Sequence, residues 1–497
     1  MKKVKKIMAL VLAAVMVMAM GMTAFAADPD YSITVTNAKE GETYKAFKMF
    51  DLSVDDPTNP TAFRYTVNPE WAEFAETAEF RAVFTVDKQG YVTSTKTSQP
   101  QWEGDSDLSK VIDSAAKFAA TKGIQADGSV TIASGETSGK ITLTEAGYYV
   151  VSSTLGTRAM VDTTPANPAV TIHEKNEEDS IVKTVKEDKT GEYGETNDAQ
   201  IGDTVEFKSV VTIAARSINV KIHDTMDSGL TLNPNSIKVY TNEELTTEYT
   251  AAVIKTGSDV AQGDTFTIEI PNTFAETATA SQHLYITYTA ELNKNAISSG
   301  ASEVGIVEQL NKTNVTFGNN TKSADDTTTT TTHKFNVHKF AKGVTNLADA
   351  VFQMKKNGTV VNLVKIDDTN YRVVDDTEIG TPSSHANNGE INNIPAGTIV
   401  SDFVSVSSGS IVIWGVDSDI DYTLKELQAP NGYNIIEDDI EVSVAADNST
   451  TIEIKNETGA ELPSTGGIGT TLFYVVGSVL VIGAGVLLVA KRRMKER

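Results

Sequence analysis

The sequence predicts a mainly β protein: three tandem Ig-like β-sandwich domains, the first with helical decoration, between a signal peptide and a C-terminal transmembrane segment. Three observations carry this. Period-2 alternation of apolar residues recurs from Tyr31, Ile33 and Val35 to Ile452 and Ile454, the signature of strands with one buried face. A helical period stands out in Ser106 to Lys122, where Leu108, Val111, Ile112, Ala115, Phe118 and Ala119 share a face and Gly123 stops the run. Finally, roughly 440 residues remain once both ends are trimmed, too many for one core and suited to about three domains.

The ends come first. Lys2, Lys3, Lys5 and Lys6 precede an apolar stretch from Ile7 to Met22, and Ala24-Phe25-Ala26 offers a small-residue cleavage site. Residues 1–26 therefore read as a signal peptide, with Ala27 opening the mature chain. At the other end no charge falls between Glu461 and Lys491, and Lys491-Arg492-Arg493-Met494-Lys495-Glu496-Arg497 closes the chain. From Leu472 to Ala490 there are enough apolar and small residues to cross a bilayer as a helix, about nineteen, and the basic tail stays inside. An exported chain with no cysteine cannot be braced by disulfides, so a covalent brace needs other chemistry. Losing the four leader lysines and a net four positive charges beyond Thr465 takes the formal charge from −24 to −32. Such an acidic product argues against nucleic acid or an anionic membrane as partner. His173, His223, His283, His333, His338 and His385 are scattered, and no zinc-type cluster or other metal site is predicted.

The first region, residues 27–175, mixes strands with the helix and closes on Val170 and Ile172. The second, residues 176–326, is mostly strand: Val205, Phe207, Val211 and Ile213 lie in one run, and Leu284, Ile286 and Tyr288 in another. The β-branched run Thr327 to Thr332 suits an extended connector. It opens the third region, residues 327–459, which is again all strand. Residues 460–497 form the C-terminal segment.

Successive side chains on a strand point to opposite faces, so parity sorts polar residues into buried and exposed. In the second region Lys183 shares a face with Ile181 and Val185, Asp224 with Val220 and Ile222, and Asn311 with Val315 and Phe317. In the third, Lys339 goes with Phe335 and Val337, Glu426 with Tyr422 and Leu424, and Asn456 with Ile452 and Ile454. Each domain thus aims a Lys, an acid and an Asn inward. In the middle domain Glu308 is the alternative acid to Asp224. Unpaired buried charge is costly, and a Lys beside an acid in an apolar core can hand over its proton. A neutral amine and a protonated acid are the forms needed for attack on the Asn side-chain carbonyl, with ammonia leaving and an isopeptide bond remaining. An ordinary buried salt bridge is the competing reading; two copies in the same element order favour the covalent one. In the first region Glu145 has no inward Lys to match, because Asn37 continues the opening strand, and no such bond is predicted there.

Several motifs carry a family resemblance. Leu462-Pro463-Ser464-Thr465-Gly466, ahead of the apolar run and basic tail, resembles the LPxTG sorting signal of Gram-positive surface proteins. Leu424-Lys425-Glu426-Leu427-Gln428-Ala429-Pro430-Asn431-Gly432-Tyr433 resembles the E-box of sortase-assembled backbone pilins, and Phe335 to Asn456 is similar to a Cna B-type domain. Ile172-His173-Glu174-Lys175-Asn176 resembles the pilin motif, with His173 and Glu174 in place of its Tyr and Pro. The resemblance implies a major pilin cut between Thr465 and Gly466 and joined to Lys175 of the next subunit, with Lys186 and Lys189 as competing acceptors. It implies that Glu426 promotes a Lys339–Asn456 bond, with Asp224 or Glu308 doing the same for Lys183 and Asn311. The implied partners are a class C-type pilin sortase, a housekeeping sortase, identical pilin subunits, accessory pilins, peptidoglycan and a host surface ligand, with no cofactor.

Two other function classes compete. A singly wall-anchored adhesin shares the anchor but needs no acceptor lysine. An exported hydrolase finds no Ser-His-Asp or metal motif, and paired acids are weak evidence in a chain with 66 of them. Asp417-Ser418-Asp419-Ile420-Asp421 has the alternating acids of a calcium loop but lacks the glycine and terminal glutamate of an EF-hand, and reads as the turn before the E-box strand, with a weak calcium site as the alternative.

Overall fold

A computed structural model describes residues 30–56, 60–95, 106–174, 178–260, 263–300, 303–459 and 468–495. The signal peptide, Lys175 and the pentapeptide Leu462 to Gly466 lie outside the described residues.

In the first region the strand Ser32–Thr36 pairs parallel with Ala169–His173 and antiparallel with Ser138–Thr142. It faces a larger sheet in which Thr43–Val54 lies between Gly147–Ser153 and Phe63–Val67. Ile33, Val35, Ile141 and Ile172 meet Tyr44 and Val151 in the core between them. The helix Ser106–Lys122 forms over the range its periodicity predicts, and Gly123 takes a φ of 68°, a left-handed position that glycine adopts without strain. Its apolar face covers the far side of the larger sheet, where Leu108, Ile112 and Ala115 pack with Trp71, Phe74 and Phe80.

The middle region is a sandwich. In one sheet Ser180–Lys186 pairs with Thr204–Ile213, which pairs in turn with Gln282–Leu292. The facing sheet holds Lys221–Met226 beside Gln309–Phe317 and Phe266–Glu269. The threonine run departs from its expected role as a connector. Asp326–Thr331 is a strand of this facing sheet, antiparallel to Gln309–Phe317 and parallel to Thr196–Asp198, with Thr328 and Thr330 buried. The two regions therefore meet at Thr332, not at Asp326. A run of identical β-branched residues has no polarity alternation, so sequence shows it to be extended without showing which face it buries.

In the C-terminal sandwich His333–Ala341 lies between Ile411–Val416 and, in parallel, Thr451–Asn456. Val351–Lys356, Asp421–Gln428 and Ile440–Ser443 face it. Beyond it Ile468–Lys495 is one helix, long and apolar enough from Leu472 to cross a membrane.

The sandwiches are joined by packed seams. Fully buried Glu42 of the first accepts hydrogen bonds from the Asn319 backbone N–H at 3.1 Å and the Thr321 hydroxyl of the middle one. At the other seam Ile201 belongs to the middle region by sequence but packs in the C-terminal core, against Gly415 at φ 82°. Its N–H donates to the Gly415 carbonyl at 3.0 Å. Ile201→Ala should therefore cost about 2–5 kcal/mol and uncouple unfolding of the two sandwiches in guanidinium. A single unshifted transition would show that this contact does not couple them.

Candidate functional site

The middle-region cluster assembles across the sandwich. Lys183 comes from one sheet, while Asp224 and Asn311 sit on neighbouring antiparallel strands of the other. There Asp224 opposes Thr313 and Asn311 opposes Met226, so the two side chains are diagonal neighbours on the inner face. All three residues are at most 1% exposed. Lys183 Nζ lies 2.6 Å from Asp224 Oδ2 and donates to Asn311 Oδ1. Rings wall the amine in, with Tyr288 at 5.4 Å and Phe207 at 5.6 Å from Nζ.

Tyr288 completes the cluster. Its hydroxyl donates to Asp224 Oδ2 at 2.7 Å and accepts from Asn311 Nδ2 at 3.0 Å, which turns the amide oxygen toward Lys183 and the amide nitrogen away from it. Burial pulls the Lys183 amine down and pushes the Asp224 carboxyl up, each partly opposed by the other's charge. Burial also raises the Tyr288 phenol. Glu308, the alternative acid, is exposed. Sequence reasoning read Tyr288 only as core; the available signal was a phenol on a buried face, which needs a hydrogen-bond partner.

The C-terminal cluster uses the same residue types in another arrangement. Lys339 and Asn456 lie on adjacent parallel strands of one sheet, where Lys339 opposes Ile454 and Ala341 opposes Asn456. Glu426 reaches in from the facing sheet. Lys339 Nζ is 3.9 Å from Glu426 Oε1 and donates to the Ile454 carbonyl at 3.4 Å. Asn456 Nδ2 donates to Glu426 Oε2 at 3.2 Å and to the Asn434 carbonyl at 2.7 Å, and the Ile436 N–H donates to Glu426 Oε2 at 2.7 Å. Asn456 Oδ1 and Glu426 Oε1 have no hydrogen-bond partner, although both residues are buried. Burial brings Lys339 down to about 8 and raises Glu426. Asn434 and Ile436, which aim backbone groups at the pair, carry no sequence signal of that role.

The first region has no matching cluster among the described residues. Glu145 is exposed and pairs with Lys48 at 2.5 Å. Two acids are buried there among the described residues: Glu42, at the seam with the middle sandwich, and Glu174, which accepts from Tyr44 at 2.9 Å and from Ser153 and Thr157. Glu174 pins the chain immediately before Lys175. Of the competing acceptors, Lys186 pairs with Glu206 at 3.2 Å and Lys189 with Asp419 at 3.1 Å.

A depressed amine gives a testable pH dependence. With Lys339 at about 8 when folded against about 10.4 when unfolded, the unfolded chain binds more protons across that window, so stability rises with pH through it. In Asn456→Ala, where the amine stays free, the thermal midpoint should climb from about pH 8 to about pH 10 relative to Lys339→Met/Asn456→Ala. Parallel profiles would mean that Lys339 is not desolvated.

Residues 333–458 match the SpaA prealbumin-like fold domain, and residues 454–496 match the LPXTG cell wall anchor motif. No curated protein matches the chain. Among solved structures it is similar to BcpA, the major pilin subunit of Bacillus cereus, at 14% identity and TM-score 0.39, covering 86% of this chain and 99% of that one. It is also similar to the full-length RrgB pilus protein of Streptococcus pneumoniae, at 11% identity and TM-score 0.41, covering 89% and 100%. A third is the full-length major pilin SpaD of Corynebacterium diphtheriae, at 15% identity and TM-score 0.39, covering 86% and 98%. Residues 333–458 are therefore a prealbumin-like SpaA domain and residues 454–496 an LPXTG cell wall anchor, and the chain is an exported sortase substrate attached to the cell wall of a Gram-positive bacterium.

Proposed function

We propose that the chain is the shaft subunit of a covalent surface pilus, braced internally by Lys183–Asn311 and Lys339–Asn456 isopeptide bonds. The observation that carries this reading is the buried Lys, acid and Asn grouping, present in two successive sandwiches of an anchored, cysteine-free chain. Each bond forms when the neutral amine Nζ attacks the Asn side-chain carbon. The protonated acid donates to the developing oxyanion and relays one amine proton to the amide nitrogen, which departs as ammonia. In the middle cluster the Tyr288 hydroxyl, already hydrogen-bonded to that nitrogen, stands on the relay path. No turnover follows, because the product is part of the chain.

Polymerisation uses a different amine. A class C-type pilin sortase holds Thr465 as a thioester. Lys175 of another subunit attacks the Thr465 carbonyl, forming an inter-subunit amide and releasing the sortase cysteine. A housekeeping sortase then passes the finished fibre to peptidoglycan, and accessory pilins or a host ligand join at its ends. Buried Glu174 supports this choice, since it fixes the backbone beside Lys175.

On cells, Lys175→Ala should abolish the ladder of boiling-resistant multimers while leaving wall-anchored monomer; an unchanged ladder removes Lys175 from the mechanism. In the purified mature chain, Asp224→Ala and Glu426→Ala should each restore the mass of one ammonia. If both variants keep the wild-type mass, the acids are misassigned.

A further inference from the structure

The seam between the middle and C-terminal sandwiches gathers six carboxylates into two groups of three. Glu187, Asp198 and Asp419 form one and Asp188, Asp203 and Asp417 the other, each with one carboxylate oxygen per residue within 4.8 Å of the others. The cations facing them are Lys356, 2.7 Å from Asp203, Lys189, 3.1 Å from Asp419, and His333, 3.0 Å from Asp198. Three cations at most leave an excess of negative charge. The second group carries an independent mark. Asp417 is 0% exposed, its Oδ1 accepts from the Asp419 N–H at 2.7 Å, and its Oδ2 has no hydrogen-bond partner.

We propose that Asp188, Asp203 and Asp417 hold one calcium ion that fastens the C-terminal sandwich to the middle one. The donor set is all oxygen, which excludes the softer metals. Exposed Asp188 leaves the outer side open to water, and calcium accepts six to eight oxygens in loose geometry where magnesium demands a near-ideal octahedron. On binding, Lys356 releases Asp203 and turns to solvent, where its side chain is already partly exposed. The ligands come from residues 188 and 203 on one side and 417 on the other, so the ion is a clamp between domains.

The test uses the mature chain stripped with EGTA. Calorimetric titration with calcium chloride should give one ion per chain at a Kd of about 10⁻⁴ to 10⁻³ M, the range of extracellular modules. At about a hundredfold excess over Kd the folded-to-unfolded ratio rises about a hundredfold, so calcium should lift the thermal midpoint, and more than magnesium does. Asp417→Asn and the exposed, fold-neutral Asp188→Asn should each weaken calcium binding at least tenfold, without lowering the EGTA-state midpoint. No calcium heat, an equal magnesium response, or unchanged binding in both variants would overturn the proposal.

Discussion

Desolvation of an amine is the constraint on which the structure turns. Lys183 and Lys339 are the costliest kind of residue to bury; Lys183 meets Asp224 and the Asn311 amide oxygen, and Lys339 lies beside Glu426 and the Ile454 carbonyl on the strand that ends at Asn456. The same absence of water that makes these side chains expensive as ions pulls the amines down and pushes the acids up, the direction that the proposed bond formation needs. A surface lysine has no such pressure on it, and it stays a cation. In the proposed scheme, burial beside an acid is what would set Lys183 and Lys339 apart from the lysines left to an enzyme.

The two proposed bonds would brace their sandwiches in different ways. In the middle region the lysine faces acid and amide from across the core, so a bond there ties sheet to sheet. In the C-terminal domain lysine and amide share one sheet, so the proposed bond would tie the first strand to the last directly. By analogy with loop closure by disulfides, a bond spanning about 100 residues contributes roughly 4–5 kcal/mol, less any native strain. The mechanical benefit is also unequal. Asn456 ends the last C-terminal strand, whereas Asn311 is followed by the threonine strand, so in the proposed fibre tension in the middle region would still run through Asp326–Thr331. That strand is held on both sides, and Asp326 accepts the Lys183 backbone N–H at 2.7 Å.

Much of this was legible in the sequence, for a physical reason. Strand parity is a strict period of two, so Lys183, Asp224, Asn311, Lys339, Glu426 and Asn456 could be assigned inward from their neighbours, and the helix from its apolar stripe. What parity cannot reveal is which strands face each other. The difference between the clusters, the roles of Tyr288, Asn434 and Ile436, and the transfer of Ile201 into a neighbouring core all depend on long-range pairing. Glu174 shares the inward parity of Val170 and Ile172, but the partners that hold it, Tyr44, Ser153 and Thr157, lie far away in sequence and left no local signal. The Asp417 turn looked incomplete because its partners, Asp188 and Asp203, belong to the preceding sandwich.

Peptide sequencing by mass spectrometry of the digested mature chain tests the central claim most directly. Branched peptides joining Lys183 to Asn311 and Lys339 to Asn456 are the predicted result. Recovery of all four residues in linear, unmodified peptides would contradict the account.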